Sequence, residues 1–284
     1  MKKNKKKRSL LLVLTVLLLA EIAAFSGYEA YQIISEYKRE ETASQQIQQF
    51  IDLEATQGAE PITEAQETEA EALEELGTVV LETEAILSTE AMEETEPVYY
   101  PVVDFESLMK VNNDVIGWIY IPGTNVNYPI VQGEDNRHYV STMVDGRDNA
   151  AGSIFMDYRN SPDFLDKHTV IYGHNMRNGS MFANIVDYKK DIYLQEHSVG
   201  MIMTPTVNFR LQVIGGYVAK LSDSAWQLEF AGEDDFNAWL EETLNHTGDR
   251  LAVQPKATDR IITLSTCSYE FSDARYVLVC RVME

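Results

Sequence analysis

Apolar and polar positions divide the chain into three textures. The first is a basic octet, Met1 to Arg8, then Ser9 and an apolar run from Leu10 to Ala20 that resumes after Glu21 as Ile22, Ala23, Ala24 and Phe25. A basic block before an apolar stretch is a cleaved signal peptide or an uncleaved signal anchor. Sixteen residues, one of them Glu, are short for a span of about 20, but Glu21 near the far interface makes the span workable. Ala24-Phe25-Ser26 supplies a small-x-small cleavage site, so the alternative stays open. We take the anchor reading, with residues 1–8 cytoplasmic, 9–27 spanning, and everything beyond about 30 outside the cytoplasm by the positive-inside rule.

The second texture, 28–97, starts with helical spacing. Tyr28, Tyr31, Ile34 and Tyr37 recur about one turn apart, which predicts a helix over Tyr28–Leu53 extending the anchor outward. From Glu54 to Glu96 the chain turns to Thr-Glu-Ala, with that triplet at 63, 68, 83 and 89. A tract so poor in aromatic and branched apolar residues does not offset chain entropy, which predicts a flexible, self-repelling acidic stalk.

The third texture, 98–284, alternates short apolar runs with turns. Asp104 is placed to cap a short helix beginning at Phe105. Strands are predicted at Gly117–Ile121, Tyr128–Val131, Ser153–Met156, Thr169–Tyr172, Ser198–Thr204, Asn208–Ala219, Arg260–Thr266 and Arg275–Met283. Helical patterns interrupt them at Gly179–Val186 and at Glu233–Thr243, where Phe236, Trp239, Leu240 and Leu244 share a face. Many short strands with few inserted helices predict a mostly β domain, a barrel or sandwich.

Charge sharpens this division. The net −22 splits into +4 over residues 1–30, −16 over 31–100 and −10 over 101–284. No part beyond the first octet offers the basic face that phosphate binding needs, so no nucleic-acid partner is expected. Two cysteines, Cys267 and Cys280, are too few for a disulfide scaffold, and no CxxC or HxxxH pattern points to zinc. No metal and no cofactor are expected.

Chemistry concentrates near the end of the chain. Ile261 to Cys267 and Arg275 to Arg281 are β-type runs joined by seven polar or turn-forming residues, an antiparallel pair that sets Cys267 and Arg275 at facing strand ends. A guanidinium beside a thiol favours thiolate and can stabilise an oxyanion; a core Cys with a surface Arg is the plainer reading. Cys280 lies five residues along the second run, roughly 16 Å up the strand, too far for a disulfide to Cys267. A nucleophilic Cys needs an imidazole. His174 follows an apolar strand at a Gly-marked turn, whereas His138, His168, His197 and His246 read as solvated or structural.

Thr263-Leu264-Ser265-Thr266-Cys267, Arg275 eight positions later, and Tyr172-Gly173-His174-Asn175 together resemble the signature of sortases, cysteine transpeptidases of Gram-positive surfaces. Asp114 to Ile119, Tyr128 to Gln132, Gly179 to Ala183 and the helix around Phe236–Leu244 are similar to class B sortases in particular. The resemblance covers about residues 100–284 and implies a closed β-barrel catalytic domain with His174, Cys267 and Arg275 as its catalytic residues. It further implies cleavage of a C-terminal x-P-x-T-x sorting motif after Thr through a Cys267 thioester. Its partners would be secreted proteins bearing that motif and a cell-wall amine acceptor, met by a single-pass enzyme at the outer face of the cell membrane. Ser265 is either a substrate contact or an ordinary strand serine. Two rivals are a papain-like hydrolase and a stalked binding domain without activity.

Overall fold

In the computed structural model, which describes residues 2–58, 99–248 and 255–283, the first texture is a single helix, α1 (Lys2–Gln48). Its Leu14–Gln48 part is long and apolar enough to cross a membrane. The helix continues past the apolar run as expected but stops before Leu53. Ile51–Gly58 is instead a strand, β1, paired antiparallel with β2 (Tyr99–Val103). The pairing with β2 is a tertiary contact that local helical spacing does not report. Glu54–Gly58, expected to open the flexible acidic tract, is held in β1 by this pairing; the rest of that tract lies outside the described residues.

Eight further strands close a barrel: β3 (Val115–Tyr120), β4 (Asn127–Val131), β5 (Ile154–Met156), β6 (His168–Tyr172), β7 (Val199–Met203), β8 (Asn208–Lys220), β9 (Ile261–Cys267) and β10 (Ala274–Met283). Round the barrel they run β10-β8-β7-β3-β4-β5-β6-β9, with β9 returning to β10. Among these described strands only β4–β5 and β6–β9 are parallel pairs. All eight coincide with the strands expected after Pro97. Helices α2 (Phe105–Val111), α3 (His138–Ser141), α4 (Asp191–Glu196) and α5 (Glu233–Thr247) decorate the barrel. The Asp104 cap forms as expected, its Oδ1 accepting the Ser107 N–H at 3.0 Å. The helix expected over Gly179–Val186 is shifted. Gly179 and Met181 take positive φ (83° and 56°), which breaks helical propagation, and a 3-10 helix begins only at Ala183 and runs to Lys189.

Strand period divides the side chains of β9 and β10 between two sides. Ile262, Leu264, Tyr276, Leu278 and Cys280 join the barrel interior with Ile119, Ile154, Phe182 and Leu211. The alternate positions face outward: Ile261 and Val279 are covered by Phe236, Trp239 and Leu240 of α5. A third cluster, around Trp118, Leu108 and Tyr100, lies under β2 and α2 and reaches Ile47 of α1. The end of α1 is therefore part of the folded domain. Ala43 and Ile47 are buried, and Trp118 Nε1 donates to Asn127 Oδ1 (2.7 Å), whose Nδ2 donates to Gln48 Oε1 (2.7 Å).

Candidate active site

Strand register alone assembles the site. In the antiparallel pair β9–β10, Cys267 is the direct partner of Arg275, so their Cα atoms are about 4.5–5.5 Å apart. On the other side β6 runs parallel to β9 with Tyr172 opposite Ser265, and the Gly173 N–H donates to the Ser265 carbonyl at 3.1 Å. Two residues further along both strands lie His174 and Cys267. The three candidates thus sit at the ends of three adjacent strands, Cys267 in the middle, at strand spacings of roughly 5 Å. All three are partly exposed.

Local chemistry fixes the His174 turn. A Cβ at Gly173 would stand 2.4 Å from Ile154 Cδ1 and 2.7 Å from the Phe182 ring, so only glycine lets the chain pass there. Beyond it the chain doubles back, with the Phe182 N–H donating to the His174 carbonyl at 2.8 Å and Asn175 bridged to Met181. His174 Nε2 lies 2.8 Å from the Val140 carbonyl. A carbonyl only accepts, so Nε2 carries a proton in this bond and Nδ1 is the nitrogen left to exchange one. Asn175 Nδ2 donates to the Cys267 carbonyl at 2.9 Å, tying the histidine turn to the end of β9.

A groove of ≈ 430 Å³ opens over these residues, within the range of small-ligand sites. His174, Cys267 and Arg275 line it with Asn136, Val140, Leu221 and Trp226. Ser265 is in its wall but buried, with its hydroxyl accepting the Trp226 indole N–H at 3.2 Å. Beneath one wall, buried Asp157 accepts from Arg159 Nε and Nη2, from the Tyr172 hydroxyl and from Asn136 Nδ2, each at 2.9 Å. Burial opposes its charge, but these bonds prevail and hold its carboxyl below the usual range. Tyr172 and Asn136 are thereby locked into the groove wall.

The other wall hangs on His168, a structural histidine as expected. Its Nδ1 donates to the Gln227 carbonyl (2.6 Å) and its Nε2 accepts from the Thr263 hydroxyl (2.8 Å), fixing the segment that carries Trp226. Complete burial pushes its pKa down to about 4. Cys280 is paired in register with Ile262, five positions from the Cys267 end, and both cysteines are free. Burial pushes the Cys280 thiol up to about 12, an inert core group.

Among the described residues no group of three or more His, Cys, Asp or Glu is arranged to hold a metal ion. Sequence reasoning missed Asn136, Val140 and Trp226, which a loop, the short α3 and a one-turn 3-10 helix (Ser224–Trp226) carry to the groove and which no periodicity marks. Asn175 was visible beside His174, but not its bond to the Cys267 carbonyl.

The Sortase domain family matches residues 119–283. Sortase B of Staphylococcus aureus is 34% identical over 182 residues, covering 63% of this chain and 75% of that protein. The structure of a Staphylococcus aureus sortase B-substrate complex matches with a TM-score of 0.60 at 34% identity, over 63% of this chain and 84% of that one. A crystal structure of sortase B complexed with triglycine matches equally, TM-score 0.60 and 34% identity, over 63% and 85% of the two chains.

Proposed function

The chain belongs to the sortase family of cysteine transpeptidases, in its class B, and on that premise we propose how its three strand-end residues divide the reaction. Cys267, as thiolate, attacks the Thr carbonyl of a C-terminal x-P-x-T-x motif. The carbonyl electron pair moves onto oxygen, and Arg275, paired with Cys267 across the strands, stabilises that oxyanion. The tetrahedral intermediate collapses to a Cys267 thioester as the C–N bond breaks, and His174 delivers a proton to the departing amine. An acceptor amine then loses a proton to His174, attacks the thioester and frees the Cys267 thiolate for the next cycle. The register that brings His174, Cys267 and Arg275 to neighbouring strand ends is the observation that carries this assignment.

The end of a strand is also where a papain-like hydrolase does not carry its cysteine, and an inert binding domain gives no reason for this triad. The relative crystallised with triglycine supports a glycine-terminated cell-wall amine as acceptor, and the substrate complex of another supports a peptide bound in the groove. The apolar stretch of α1 supports a single-pass anchor with residues 1–8 cytoplasmic and the barrel outside, where secreted substrates pass. Ser265 enters as a support for Trp226 in the substrate groove.

Product analysis tests this reading. An x-P-x-T-x peptide library incubated with the full chain should give peptide joined to triglycine when triglycine is supplied and slow hydrolysis without it. Hydrolysis alone, whatever amine is present, would rule out transpeptidation.

A further inference from the structure

Glu40 is a carboxylate with almost no solvent contact, 4% exposed, on a helix whose neighbouring charges face water. Among the described residues no Lys or Arg pairs with it. Its Oε2 instead accepts from Asn178 Nδ2 at 3.0 Å. Burying an acid this way costs free energy unless the bond does something the fold needs.

Asn178 is the tip of the turn whose base is His174. The turn is closed by the bond from the Phe182 N–H to the His174 carbonyl and by the Asn175–Met181 bridge. The Asn178 amide has no freedom to face the other way: its Oδ1 already accepts the Ser180 N–H (3.1 Å) and hydroxyl (2.8 Å), which leaves Nδ2 to donate to Glu40. One turn earlier on α1, the Glu36 carbonyl accepts from Asn149 Nδ2 at 3.2 Å. Asn149 belongs to the stretch after α3, and its N–H donates to the Ser141 carbonyl. Next to Ser141 is Val140, whose carbonyl accepts the hydrogen bond from His174 Nε2–H. One face of α1 thus touches both chain segments that fix the imidazole.

We propose that Glu40 is a positioning residue for His174, so that the helix leading out of the apolar segment forms part of the active-site framework. The proposal rests on His174 being the acid and base of the reaction. Loosening the turn displaces the imidazole relative to Cys267 while leaving the groove intact, and an error of about 1 Å in such a group costs up to about a hundredfold in rate.

The test uses the full chain in detergent micelles and the best-cleaved member of an x-P-x-T-x peptide library. Asn178→Ala and Glu40→Leu should each lower kcat about tenfold with KM changed by less than about twofold. The double variant should lose less than the product of the two single losses, because the Asn178–Glu40 bond is removed in both. Glu40→Gln keeps an oxygen for Asn178 Nδ2 and should stay within about twofold of the parent. Asn178 is exposed, so Asn178→Ala leaves the core untouched even if Glu40→Leu folds poorly. A parent-like kcat in Asn178→Ala, or a loss in Glu40→Gln equal to that in Glu40→Leu, overturns the proposal. His174→Ala separates the two levels: if it is inactive while Asn178→Ala is unaffected, only the positioning role fails, and if it stays active, the role of His174 itself fails.

Discussion

Arg275 and His174 flank Cys267 because β9 is the middle of three strands that end together. That placement makes the arginine's shape matter as well as its charge. Arg275→Lys keeps a cation but loses the planar fork, and kcat for sorting-peptide cleavage should fall by on the order of 10²–10³, with an unchanged melting temperature. A loss below about threefold would remove Arg275 from the oxyanion role. His168 makes a second prediction, on stability. Its burial lowers its pKa to about 4, whereas the unfolded chain takes up that proton near pH 6.5. As pH falls between those values the unfolded state binds more protons than the folded one, so stability is lost, by about 3 kcal/mol over the window. In urea unfolding, the stability difference between the parent and His168→Gln should shrink by about that amount between pH 7.5 and 4. Parallel pH curves would mean that His168 is not held neutral.

Among the elements, α1 does two jobs with one length of helix. From Phe25 to Glu40 is about 22 Å of helix, after which Ala43 and Ile47 are buried against the barrel. Removing residues 1–25 should leave the melting temperature unchanged. Removing residues 1–50 uncovers the cluster around Trp118 and should lower it by roughly 5–10 °C. The barrel strands were legible in the sequence because each combines branched or aromatic residues with flanking turns. β1 was not, since Ile51–Leu53 reads as the end of a helix and Glu54–Gly58 as the start of the acidic tract, and β2 carries Pro101, which a lone strand pattern demotes. Each of these two is defined by the other. The same division holds at the site: Cys267, Arg275 and His174 end legible strands, whereas Asn136 arrives on a loop and Trp226 on a one-turn 3-10 helix, fixed by the buried groups Asp157 and His168.

For the whole molecule, Gly58 is paired with Tyr99, so the chain leaves β1 and re-enters β2 at the same end of the same small sheet. The length of the acidic segment therefore does not set the distance between the end of α1 and the barrel. Replacing residues 60–97 with a short Asn-Gly turn should preserve the melting temperature and in vitro cleavage; loss of folding would mean that the segment contributes structure to the catalytic unit. The charge map, +4 at the start, −16 in the middle and −10 over the barrel, agrees in sign with the proposed orientation, basic end inside and barrel outside. The central claim remains a covalent one, that the acyl group of the substrate passes through Cys267. Intact-mass analysis of the full chain quenched during turnover of a cleaved x-P-x-T-x peptide, without an amine acceptor, tests it most directly. The predicted result is a thioester adduct of the N-terminal peptide fragment on Cys267, discharged by triglycine and missing from a folded, inactive Cys267→Ala variant. Cleavage by that variant, or turnover in the parent with no adduct on Cys267, would contradict the account.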